Sequence, residues 1–91
     1  MLFVALMDVR AGTAAERLAQ RLRWDVPDEL KVVGEYWLMT SDPEVIFVFE
    51  ADGFASMLGF VSDWDDVFDI SIFPAASASD GMEMAMKMLN G

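Results

Sequence analysis

Asp63, Asp65, Asp66 and Asp69 form the densest run of carboxylates in a 91-residue chain that has no histidine and no cysteine. Hard cations favour several such oxygens, but a calcium loop also needs a glycine at its sixth position and an acid at its twelfth. Counting from Asp63, Phe68 and Pro74 stand there. The run reads as a solvated loop, and no metal site is expected. A second pair of acids lies on strand-like segments. In alternation Glu35 shares a face with Val33, Trp37 and Met39, and Asp69 shares one with Val67, Ser71 and Phe73. If those faces turn away from the helices, burial raises the carboxyl pKa values and makes one of them a general base, with Tyr36 orienting the substrate. The competing reading leaves each acid at an open rim or against Lys31 or an arginine. Trp37 and Trp64, with Tyr36 beside them, offer flat surfaces for stacking an aromatic ligand, and Ser71 and Phe73 complete the candidate binding set. Core packing is the alternative use of the same rings.

Met82, Met84, Met86 and Met88 alternate near the end of the chain, and thioethers bind Cu(I). On a helix Met82 and Met86 share a face with Leu89 while Met84 and Met88 share another, so four sulfurs do not converge. Adaptable packing, against the chain's own sheet or a partner subunit, is the expected use.

The missing residues exclude more. Without histidine there is no imidazole base and no His-ligated haem; without cysteine there is no thiolate nucleophile, disulfide or zinc finger. Carboxylates, Tyr36, Lys31, Lys87, arginines and hydroxyls remain, and no cofactor is expected. The net charge is −10, split as +2 over residues 1–24, where Arg10, Arg17, Arg21 and Arg23 lie, and −12 over the rest. So acidic a body repels phosphate backbones and anionic lipid, which excludes nucleic acid and membrane surfaces as partners. The opening Met1–Met7 lacks a basic leader and meets Asp8 and Arg10 at once, and no uncharged run reaches the roughly 18–20 residues of a membrane helix. A cytoplasmic location is the expectation.

The elements that must position these residues follow from periodicity. Leu2–Met7 is a strand apolar on both faces. Thr13 caps a helix, with Glu16 completing a capping box, and Ala14, Leu18 and Leu22 form its inward stripe while Arg17 and Arg21 point elsewhere. Residues 30–39 and 44–51 form a hairpin around Thr40-Ser-Asp-Pro, the second arm apolar on both faces. Asp52 caps a helix over 53–62 with Phe54, Met57, Leu58 and Val61 on its stripe. Residues 67–73 form a strand that stops at Pro74, and a last helix spans 80–89.

Hydrophobic residues make up 55% of the chain, more than a single domain of this length hides alone. The order predicts an α+β fold: one ferredoxin-like βαββαβ domain over 1–91 with a C-terminal helix. Helices cover one face of such a sheet, and a second copy packed on the other gives a homodimer, a dimeric α+β barrel.

Gly34-Glu-Tyr-Trp, Val48-Phe-Glu-Ala-Asp and Trp64-Asp-Asp-Val-Phe-Asp-Ile-Ser-Ile-Phe-Pro resemble the prokaryotic family of domain of unknown function 3303, and Met1–Leu6 with Arg10-Ala-Gly-Thr is similar to its archaeal members. The resemblance implies membership of the dimeric α+β barrel group, which also holds cofactor-free monooxygenases, isomerases and haem enzymes; it carries over no mechanism. Two function classes follow. The first is a homodimeric binding or regulatory protein that holds a small apolar or aromatic metabolite. The alternative is a cofactor-independent enzyme, monooxygenase- or isomerase-like, with Glu35 or Asp69 as base and Tyr36 orienting the substrate. On either reading, Glu35→Ala or Asp69→Ala is expected to leave folding largely intact.

Overall fold

Alternating apolar residues and three capped amphipathic segments build seven elements: β1 (Leu2–Val9), α1 (Ala14–Arg23), β2 (Lys31–Trp37), β3 (Val45–Glu50), α2 (Phe54–Trp64), β4 (Phe68–Ala75) and α3 (Ala78–Asn90). The computed structural model describes residues 1–91. The four strands form one sheet in the order β2-β3-β1-β4, every neighbouring pair antiparallel. This is the ferredoxin-like βαββαβ fold followed by a C-terminal helix. No helix is long and apolar enough to cross a membrane.

Because side chains alternate across a strand, the register sorts the residues into two faces. Beneath α1 and α2 run the rows Glu35, Phe47, Ala5, Ile72 and Trp37, Val45, Met7, Ile70. The opposite face carries the rows Gly34, Val48, Val4, Phe73 and Tyr36, Ile46, Leu6, Ser71. Register shifts between Val32 and Gly34. This bulge breaks the even alternation expected of β2: Val32 pairs with Phe49 and Val33 is the extra residue. Tyr36 folds back over Gly34, where a Cβ would meet its hydroxyl oxygen at 2.9 Å.

The core is aromatic. Phe47, Phe49, Phe60, Trp64 and Phe68 are buried, with Phe47 stacked on Phe60 at 5.2 Å and Trp24 edge-on to Trp64 at 5.5 Å. Each such pair adds about 0.5–1.5 kcal/mol beyond its area.

Several local expectations are corrected. The capping box on α1 forms as expected, with Thr13 and Glu16 exchanging hydrogen bonds of 3.1 Å, yet the helix faces the other way. Its only buried residue is Arg17, and Leu22 is 83% exposed. On α2 the cap is Gly53 rather than Asp52, with no side-chain hydrogen bond. Phe60 and Trp64 are buried there, and Phe54 and Leu58 are exposed. Strand β4 runs through Pro74 to Ala75, which an edge strand tolerates because one side has no ladder to lose. Helix α3 starts two residues early on a Ser77 cap and buries none of its residues, so its methionines do not pack on the chain's own sheet.

Candidate functional site

Helix α1 is tied to the β2–β3 hairpin by two arginines one turn apart. Arg17 donates from Nε and Nη2 to Glu44 at 2.9 and 2.8 Å. Its Nη1 reaches the carbonyls of Ala11 and Gly12 at 3.1 and 2.6 Å. Gly12 sits at φ +80°, a conformation that side chains other than glycine's resist, and the turn offers both carbonyls to one guanidinium. Arg21 donates from Nε and Nη2 to the two oxygens of Glu35, both at 2.8 Å, and lies over the Trp24 ring at 5.3 Å. Two-pronged pairing of this kind fixes direction as well as distance.

Glu35 therefore differs from the buried, proton-hungry carboxylate expected of a base. The Arg21 hydrogen bonds hold its pKa below the usual carboxylate range; burial pushes the other way and loses, and Trp37 Nε1 adds a third donor at 2.8 Å. The hydrogen bonds they donate to Glu35 and Glu44 hold the Arg21 and Arg17 guanidiniums above their ordinary pKa. Glu35 and both arginines are charged at neutral pH.

These clamps frame a cavity of about 230 Å³ between α1 and the hairpin, walled by Met7, Leu18, Trp37, Leu38, Met39, Val45 and Phe68, with Arg17, Arg21 and Glu44 at its polar side. Trp64 also lines it. That indole is 3% exposed, and its Nε1 is buried without a hydrogen-bond partner. An unpaired buried donor costs about 1–3 kcal/mol. The other two indoles are paired: Trp24 Nε1 donates to Asp63 at 3.0 Å and Trp37 Nε1 to Glu35.

The candidate residues are split between the two faces. Trp37 and Trp64 meet at this cavity, with Glu35 beside them through Trp37 and Arg21. Tyr36, Asp69, Ser71 and Phe73 lie on the opposite face of the sheet, so Glu35 and Asp69 do not form a pair. Asp69 is exposed and lies 3.9 Å from Arg10 Nε. In the aspartate run, Gln20 Nε2 donates to the Asp63 carbonyl at 3.2 Å and to Asp66 at 3.3 Å, and Arg10 donates to the Asp65 carbonyl at 3.1 Å. These acids stitch the end of α2 to α1, and no three carboxylates gather as a metal site would require.

Arg17, Arg21 and Glu44 escape a reading based on hydrophobic stripes. The signal that reveals them is electrostatic: two arginines at i and i+4, in the only basic stretch of an acidic chain, facing a hairpin with a glutamate on each arm. No curated protein and no solved structure matches the chain. The family model described as Domain of unknown function (DUF3303) does, over residues 1–89, and the chain belongs to that family.

Proposed function

We propose that the chain is a binding protein for a small, largely apolar molecule carrying one hydrogen-bond acceptor, held in the cavity between α1 and the hairpin. The observation that carries this reading is the Trp64 Nε1 donor, buried and unpartnered in a residue that lines a pocket of mostly apolar side chains. Pockets for small molecules combine apolar walls with a few polar groups that fix orientation. A carbonyl or ether oxygen on the ligand answers the one buried donor without a partner once the Trp64 ring shifts toward the cavity, while the walls take its hydrocarbon part. Binding without chemistry fits the neighbouring carboxylates, because Glu35 and Glu44 each accept two hydrogen bonds from an arginine. Arg21 holds Glu35 below the usual carboxylate range, which makes it a weaker base.

Titration of the ¹⁵N-labelled full chain with acetophenone, and with ethylbenzene as the counterpart lacking an acceptor, tests this. The three indole N–H signals report separately. Saturable movement of the Trp64 signal with the ketone is expected, with the Trp24 signal fixed. Trp64→Phe, which removes the donor and keeps a ring, weakens ketone binding by roughly 2- to 13-fold, the worth of one neutral hydrogen bond. An ordered water satisfying Nε1 gives a signal that neither compound moves, and that result overturns the reading.

A further inference from the structure

The charges around the cavity balance before any ligand enters. Of its wall residues only Arg17, Arg21 and Glu44 are ionisable, so the wall by itself carries one positive charge in excess, as a receptor for an anion would. Glu35 removes that excess. It does not line the cavity, but it takes Nε and Nη2 of Arg21 at 2.8 Å each, as Glu44 takes Arg17. Two ion pairs then face the cavity with no net charge between them. Glu16, the other acid on α1, is exposed and engaged with the Thr13 cap.

The two arginines are used unequally. Arg17 gives hydrogen bonds from all three of its nitrogens, to Glu44, Ala11 and Gly12. Arg21 gives none from Nη1, and its side chain is 30% exposed against 8% for Arg17. Arg21 is therefore the cation that an incoming anion would reach, and Glu35 is the charge that opposes it.

We propose that the cavity selects uncharged ligands, such as aryl ketones and amides, over carboxylates of the same shape, and that Glu35 sets this preference by cancelling the charge of Arg21. This rests on the binding reading given above and adds the ligand's charge to it. An ion entering the site leaves water for walls that are mostly hydrocarbon, a costly transfer unless an opposite charge is free to pair with it. Both arginines are already paired. A ligand carboxylate would bring a second anion to Arg21 beside Glu35, and like charges at close range disfavour one another. A ketone or amide oxygen brings an acceptor and no charge. Without the Glu35 charge, the same wall keeps one uncompensated guanidinium whose planar fork matches a carboxylate. The preference then inverts.

Acetophenone, benzamide and benzoate have the same number of heavy atoms, a flat ring and an oxygen acceptor; only benzoate is charged at pH 7. Titration of the ¹⁵N-labelled full chain with each, followed at the Trp64 indole N–H, tests the proposal. The wild type is expected to bind the two neutral compounds at least roughly 10-fold more tightly than benzoate. The same preference is expected at about 1 M NaCl, where repulsion from the body's −10 charge is screened. Glu35→Gln keeps an acceptor for Arg21 and Trp37 and removes the charge. Benzoate then binds roughly 10- to 150-fold more tightly, the worth of a hydrogen bond to a charged group, while benzamide changes far less. Asp69→Asn makes the same change of charge on the opposite face of the sheet and leaves benzoate weak. Wild-type binding of benzoate as tight as that of acetophenone overturns this proposal and leaves the binding reading standing. So does a preference that salt abolishes, or a Glu35→Gln protein, folded by far-UV circular dichroism, that gains nothing for benzoate. A Trp64 signal that none of the three moves overturns both. If Glu35→Gln does not fold, the wild-type preference in high salt decides.

Discussion

At Glu35 three donors converge on one carboxylate, and the sign of the resulting pH dependence is fixed. Its folded pKa lies below the ordinary 4.5, so the stability it contributes is present above that value and is lost as pH falls through the lower folded one. Glu35→Gln is therefore expected to be less stable at neutral pH by about 1–3 kcal/mol. Below about pH 4.5 its melting temperature should fall less steeply than the wild type's, a comparison that thermal denaturation at stepped pH provides. Glu44→Ala should cost about 3 kcal/mol in urea unfolding, because Arg17 is 7% exposed and would be left as a buried cation with only the Ala11 and Gly12 carbonyls to accept from it and no counter-charge. Asp69→Ala, at an exposed site with one long ion pair, should stay within about 0.5 kcal/mol. The two acids that the sequence presents as equals thus differ in weight. Glu35→Ala is expected to weaken the fold, and Asp69→Ala is not. The difference is illegible in sequence because it depends on Arg21 reaching across from another element. The tryptophans were easier to find: a large ring is a candidate for a pocket wherever it falls, although which indole lacks an acceptor requires the full set of neighbours.

Helix α1 shows what a stripe of leucines conceals when considered alone. Ala14, Leu18 and Leu22 have helical spacing, but the sheet beneath already carries Phe47, Met7 and Val45, and the hairpin offers two carboxylates; bidentate arginine pairs win the inward face. The helix start was legible because a capping box is local, written in Thr13 and Glu16. Thr13→Ala should cost about 1 kcal/mol, while Leu22→Arg should change stability by no more than about 0.5 kcal/mol; both are read from urea midpoints. Strand β4 passes through Pro74 because of its edge position, which appears only once the strand order is known. The bulge at Val33 is similar: alternation predicts a flat strand, and the partner β3 decides where one residue is skipped.

For the molecule as a whole, the order of elements and the two-faced apolarity of β1 and β3 were both legible, since periodicity and burial demand are properties of the chain itself. The layer missing from the sheet face opposite α1 and α2 is the counterpart of that excess. The strand order carries one more implication. β1 lies between β3 and β4, pairing Leu2 with Glu50 on one side and with Ala75 on the other. During synthesis this apolar central strand emerges well before either neighbour exists, and the sheet stays open until residue 75 clears the ribosome. Such long-range closure is slow, and the apolar run Leu2–Met7 stays unpaired until it is complete.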